Sequence, residues 1–100
     1  MKYNKLVRDR IPEYIKSKGG TPITYIANDK EYWEKLKEKL QEEIKEFGGN
    51  ETIAEMADIQ EVIDAMCRHK KFSKKKLESV KKKKAKERGG FGKRIILEES

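Results

Sequence analysis

The stretch QEEIKEFGGNETIAEMAD, residues 41–58, sets Glu42, Glu43, Glu46, Glu55 and Asp58 around a Gly48-Gly49 joint. Two helical patterns meet there. Upstream, Trp33, Leu36, Leu40, Ile44 and Phe47 recur at the period of one helix face, and downstream Met56, Ile59, Val62, Ile63 and Met66 do the same. Asn28 or Asp29 caps the first helix, which runs to about Phe47; Asn50 caps the second, which ends near His69 to Lys71. So short a joint folds the pair into an antiparallel hairpin. The predicted fold is all-α: this helical hairpin plus further helices building a bundle.

Each helical residue turns by about 100°, so the acids can be placed around their axes. Glu55 falls roughly 40° from Ile59, between Val62 and Met66 and inside the apolar face, with Asp58 at its flank. Glu43 lies at the margin of the Leu36 and Phe47 stripe, Glu46 further round, and Glu42 on the far side. Folding about Gly49 brings position 43 level with 55 and gathers Glu43, Glu46, Glu55 and Asp58 into a patch one or two turns long. Like charges in a low dielectric are costly, so the patch requires cations. Lysines are one source, the ordinary partners of helix-surface acids in a chain that is 43% charged. Divalent ions are the other. All-carboxylate ligation selects hard ions, Mg²⁺ or Mn²⁺, over zinc, and Mg²⁺ completes its shell with water and phosphate. A nucleotide or pyrophosphate substrate follows from that second source.

Working outward, Ile11-Pro12 opens a short helix that stops at Gly19-Gly20. TPITYIA (21–27) and RIILEE (94–99) are β-branched and read as short strands, which would pair the termini into a small two-stranded β ribbon. Ser73 caps a Lys-rich helix reaching about Arg88. There Leu77, Val80, Lys84 and Arg88 are spaced i, i+3, i+7, i+11, so Lys84 and Arg88 are expected to continue the buried row and turn inward toward phosphate. The other lysines of that helix read as a solvated face. From Arg68 to Arg94 the chain holds 14 Lys or Arg against Glu78 and Glu87, hence +12, which leaves −5 on the rest of a molecule of net charge +7. An acidic half and a basic half suit a polyanion held partly by cations and partly through metal ions.

The 100 residues make one domain, 1–100, and at 35% hydrophobic content its core is thin. A homodimer or homotetramer is expected to complete it. Cys67 and His69, without another Cys or His, are too sparse for a zinc site. No apolar run approaches the ~18 residues a membrane span needs, and nothing has the pattern of a signal peptide, so a cytoplasmic protein is expected.

The acid pattern EEIKE followed by EMAD resembles the EExxE…ExxD signature of the all-α nucleotide pyrophosphohydrolases, the superfamily of the MazG-like enzymes, the dimeric dUTPases and phosphoribosyl-ATP pyrophosphohydrolase. YNKLVRDRIPEYI at the start and KAKERGGFGKRIIL at the end are similar to the terminal blocks of a stand-alone, phosphoribosyl-ATP pyrophosphohydrolase-like branch. The resemblance implies an enzyme that cleaves the α–β phosphate bond of a nucleoside triphosphate, or of a phosphoribosyl-ATP-like substrate, with Mg²⁺ on the signature acids. Carried over, Glu43, Glu46, Glu55 and Asp58 are the metal ligands, and Glu42 is either a ligand or the base that orients water. Lys5 and Arg8, in the N-terminal block, either bind substrate phosphate or anchor the terminus. The absence of a fused cyclohydrolase-like segment favours a house-cleaning role. Two other classes compete: a nucleic-acid-binding protein using Lys70 to Arg94, disfavoured by the few aromatics near that run, and a non-catalytic regulatory protein on the same fold.

Overall fold

The structure, a computed structural model, describes residues 4–100. Four helices follow in order: α1 (Ile11–Ser17), α2 (Asp29–Gly49), α3 (Ile53–His69) and α4 (Lys74–Arg88). Among the described residues there is no strand, so the fold is all-α.

Each long helix starts where its capping chemistry places it. Asn28, Thr52 and Ser73 accept, through side-chain oxygens, the backbone N–H of Glu31, Glu55 and Lys76. Thr52 therefore caps α3, not Asn50 as the sequence suggests. Asn50 instead closes α2, its N–H donating to Glu46 O and Phe47 O. Pro12 stands in the first turn of α1, and Gly19 beyond its end adopts φ of +87°, a conformation open to glycine at little cost.

The α2/α3 hairpin is the main packed unit. Its seam on α2 runs through Leu36, Leu40, Glu43 and Phe47, at spacings of four, three and four residues. Ile44, expected on that stripe, lies off it and is half exposed. Glu43 takes the core position instead. The seam on α3 runs through Glu55, Asp58, Ile59, Val62 and Met66 to His69. Leu36, 1% exposed, and Val62, 8% exposed, form the buried centre. At the open end, the His69 ring stacks on Trp33 with centroids 5.7 Å apart and meets Tyr32 edge-on at 5.2 Å, while Lys70 sits 4.2 Å over the indole. At the closed end the seam is made of carboxylates.

Two expectations need correction. The ribbon does not form: Ile23 is 97% exposed and Ile95 to Leu97 are largely in solvent. A two-stranded ribbon is marginal in water without a layer to cover one face, and no helix offers that layer. Nor do α1 and α4 close a bundle around the hairpin within one chain. Lys71, at φ of +60°, carries the chain away from α3, and every residue of α4 is exposed, the Leu77 and Val80 row included. The molecule is accordingly long, 55 × 31 × 24 Å, with a Cα radius of gyration of 17.8 Å. A compact chain of this length has about 13 Å.

Candidate metal centre

The seam positions explain why acids converge. Glu43 comes from the last turns of α2, and Glu55 and Asp58 come from the first turns of α3, so an antiparallel hairpin sets the two helix ends side by side. Glu43, Glu55 and Asp58 each offer an oxygen, and these oxygens lie within 4.8 Å of one another. Glu43 is 6% exposed. Both Glu43 Oε2 and Glu55 Oε2 are buried with no hydrogen-bond partner. An orphaned buried acceptor carries its full desolvation cost, about 1–3 kcal/mol and more when charged. The local sequence makes the position of Glu55 more telling. Thr52 and Glu55 have the spacing of a capping box, yet Thr52 N–H donates to Asn50 O at 2.8 Å and the Glu55 carboxylate stays with the acids.

Side-chain cations reach two of the three acids. Arg8 Nη2 stands 2.7 Å from Asp58 Oδ1, and Lys39 Nζ stands 3.3 Å from Glu43 Oε1. Lys39 also lies 3.5 Å from Glu42 Oε1, which accepts from Lys5 at 3.1 Å. The lysine pairing that composition suggests is therefore present, but it leaves the two Oε2 atoms untouched. The donor set is all oxygen, anionic and partly withdrawn from water, which fits a hard divalent cation.

Glu46 stands at the rim. It is exposed, and its carboxyl is held above the usual range, first by the charge on Glu43, then by desolvation and the charges of Glu42 and Glu55. Glu42 lies outside the converging group. Burial is the largest single influence on it and works upward. The Lys5 hydrogen bond and the charges of Lys39 and Lys5 together outweigh burial and hold the carboxyl low.

Of the expected cations, Lys5 and Arg8 do reach the acids, spanning from the N-terminal segment to α2 and α3 respectively. Lys84 and Arg88 are exposed on α4 and do not turn inward within one chain. The residue that sequence reasoning passed over is Lys39. Its signal was legible, since a Lys three and four residues before Glu42 and Glu43 shares their helix face.

No protein-family model matches the chain. No solved structure matches it either. An uncharacterized protein of Mycolicibacterium smegmatis is 48% identical over 48 residues, which cover 48% of this chain and 49% of that protein. The chain thus spans about half the length of the curated relative it matches. No helix among the described residues is long and apolar enough to cross a membrane.

Proposed function

We propose that the chain is a Mg²⁺-dependent nucleotide pyrophosphohydrolase, cleaving the α–β phosphate bond of a nucleoside triphosphate or phosphoribosyl-ATP-like substrate to a monophosphate and pyrophosphate, in a house-cleaning role. The observation that carries the reading is the convergence of Glu43, Glu55 and Asp58, each with a carboxylate oxygen within 4.8 Å of the others, in a cluster where Glu43 Oε2 and Glu55 Oε2 are buried and partnerless. Glu43, Glu55 and Asp58 would hold the ion, with Glu46 joining from the rim once positive charge is present. An ion held by Glu43, Glu55 and Asp58 would supply charge neutralisation for the phosphates and would lower the pKa of a water in its shell. Arg8 and Lys5, on mobile-length side chains beside the acids, would meet the phosphates. Lys84 and Arg88 would do so only from a second copy, which agrees with the exposed Leu77 and Val80 row and with a homodimer or homotetramer. Glu42, held by two lysines, is poorly placed as a base. The resemblance of EEIKE…EMAD to the superfamily signature supports the substrate class.

The test is a panel of nucleotides, phosphoribosyl-ATP included, assayed for pyrophosphate release with Mg²⁺ and with Mn²⁺. Release from at least one member, abolished by Glu55→Gln, is expected. Release from none of them, with no ion bound, refutes the proposal.

One observation favours a second reading: α4 is exposed along its whole length and carries Lys or Arg on every side. Phosphate contacts alone give such a helix affinity for nucleic acid that falls steeply with salt. Steep salt-dependent binding without pyrophosphate release distinguishes that function from the enzyme.

A further inference from the structure

Lys39 lies one turn before the acids on α2, and its side chain is only 17% exposed. Lysines are seldom withdrawn from water that far unless paired. Its ammonium is shared between Glu43 Oε1 at 3.3 Å and Glu42 Oε1 at 3.5 Å, and Glu42 Oε1 is held in turn by Lys5 at 3.1 Å. The contacts form a chain: Lys5, Glu42, Lys39, Glu43. On Glu43, one oxygen is engaged by that chain and the other, Oε2, is buried and partnerless. A carboxylate tied by one oxygen has its plane restrained, so the free oxygen faces a defined direction. Outer contacts of this kind set the orientation of metal-ligating carboxylates and histidines.

Resting on the metal reading of the site, we propose that Lys39 is a positioning residue, which holds Glu43 by Oε1 and so presents Oε2 to a divalent cation, while Glu42 steadies Lys39 instead of binding the ion. Two effects oppose each other in Lys39. Its positive charge repels an incoming cation, and its grip orders a ligand. The ammonium is balanced locally by two carboxylates, so the repulsion is largely cancelled and the ordering prevails. Among the described residues Lys35, on the preceding turn, pairs only with the exposed Glu38 at 3.4 Å, away from the cluster.

Mn²⁺ binding to the full chain, followed by electron paramagnetic resonance, tests the proposal without any need for substrate. Lys39→Met keeps the apolar stem and removes the charge; its affinity for Mn²⁺ is expected to fall about 10–100-fold, the usual cost of losing an outer-shell partner, with Lys39→Arg restoring most of it. Affinity in Lys39→Met equal to or tighter than that of the unaltered chain overturns the proposal. If Lys39→Met does not fold, Glu42→Gln decides. A loss smaller than that caused by Glu55→Gln supports a steadying role, whereas an equal loss makes Glu42 a ligand and overturns it. Failure of the unaltered chain to bind Mn²⁺ is a different result, which removes the metal reading itself and this proposal with it.

Discussion

Glu55→Gln separates a metal site from a structural cluster of acids, because the substitution keeps side-chain shape while deleting one charge. Like charges within 4.8 Å of one another repel by at least about 3.5 kcal/mol at an effective dielectric of ~20. Lys39 and Arg8, acting on Glu43 and Asp58, offset much of that repulsion. Removing the Glu55 charge is therefore expected to stabilise the chain in a chelator by about 1–2 kcal/mol. For a domain of this size each kcal/mol moves Tm by about 4–8 °C, so a rise of about 4–16 °C follows. Mg²⁺ reverses the order. At ~100 times its Kd an ion adds about 2.7 kcal/mol to the unaltered chain, a rise in Tm of about 10–20 °C, and most of that rise is lost in Glu55→Gln. Thermal unfolding followed by circular dichroism, in chelator and in Mg²⁺, reads both signs in one experiment. A lower Tm for Glu55→Gln in chelator would mean that the carboxylate is already satisfied within the fold, and the reasoning from orphaned oxygens would be wrong.

Four further outcomes are expected. Glu42 has a carboxyl held below its ordinary 4.5 in the folded chain; its contribution to stability is present above that value and fades as pH falls through the folded one, so Glu42→Gln should flatten the acid limb of a Tm–pH curve. Glu46, whose carboxyl is raised, acts in the opposite sense: stability present at low pH is lost as pH climbs through its folded value, and Glu46→Gln should remove that loss. Thr52→Ala deletes the α3 cap and should cost about 1 kcal/mol, seen as a lower Tm, whereas Asn50→Ala should cost less. Sedimentation of the unaltered chain should show two or four copies, and Leu77→Asp should shift it toward one; a monomeric unaltered chain would refute the oligomer.

Much of the hairpin was legible because its signals are local. Apolar period, a Gly-Gly joint and Asx or hydroxyl caps act within a turn or two of where they stand. Even the facing of Glu43 and Glu55 followed from a period and a short joint. The misplaced cap shows the limit, since Asn50 is by itself the better capping residue and only the backbone at α2's end, which uses Asn50 N–H, hands the cap to Thr52. The ribbon failed for a longer-range reason. TPITYIA and RIILEE have strand-like composition, but a strand needs a partner and a covering layer, and neither can be read from the segment itself. Lys84 and Arg88 failed in the same way: a helical row states which residues share a face, not whether anything lies opposite it. Arg8 reached Asp58 across 50 positions of chain, a contact that only tertiary folding creates.

The packing of His69 and Lys70 against Trp33 has an optical consequence. Trp33 is the chain's one tryptophan, so intrinsic emission reports a single place, the junction where the start of α2 meets the end of α3. Far-ultraviolet ellipticity, by contrast, sums all four helices and includes the unsupported α4. Emission and ellipticity recorded on the same denaturant series would therefore part company if α4 melts ahead of the hairpin, giving each segment its own spectroscopic clock without any label.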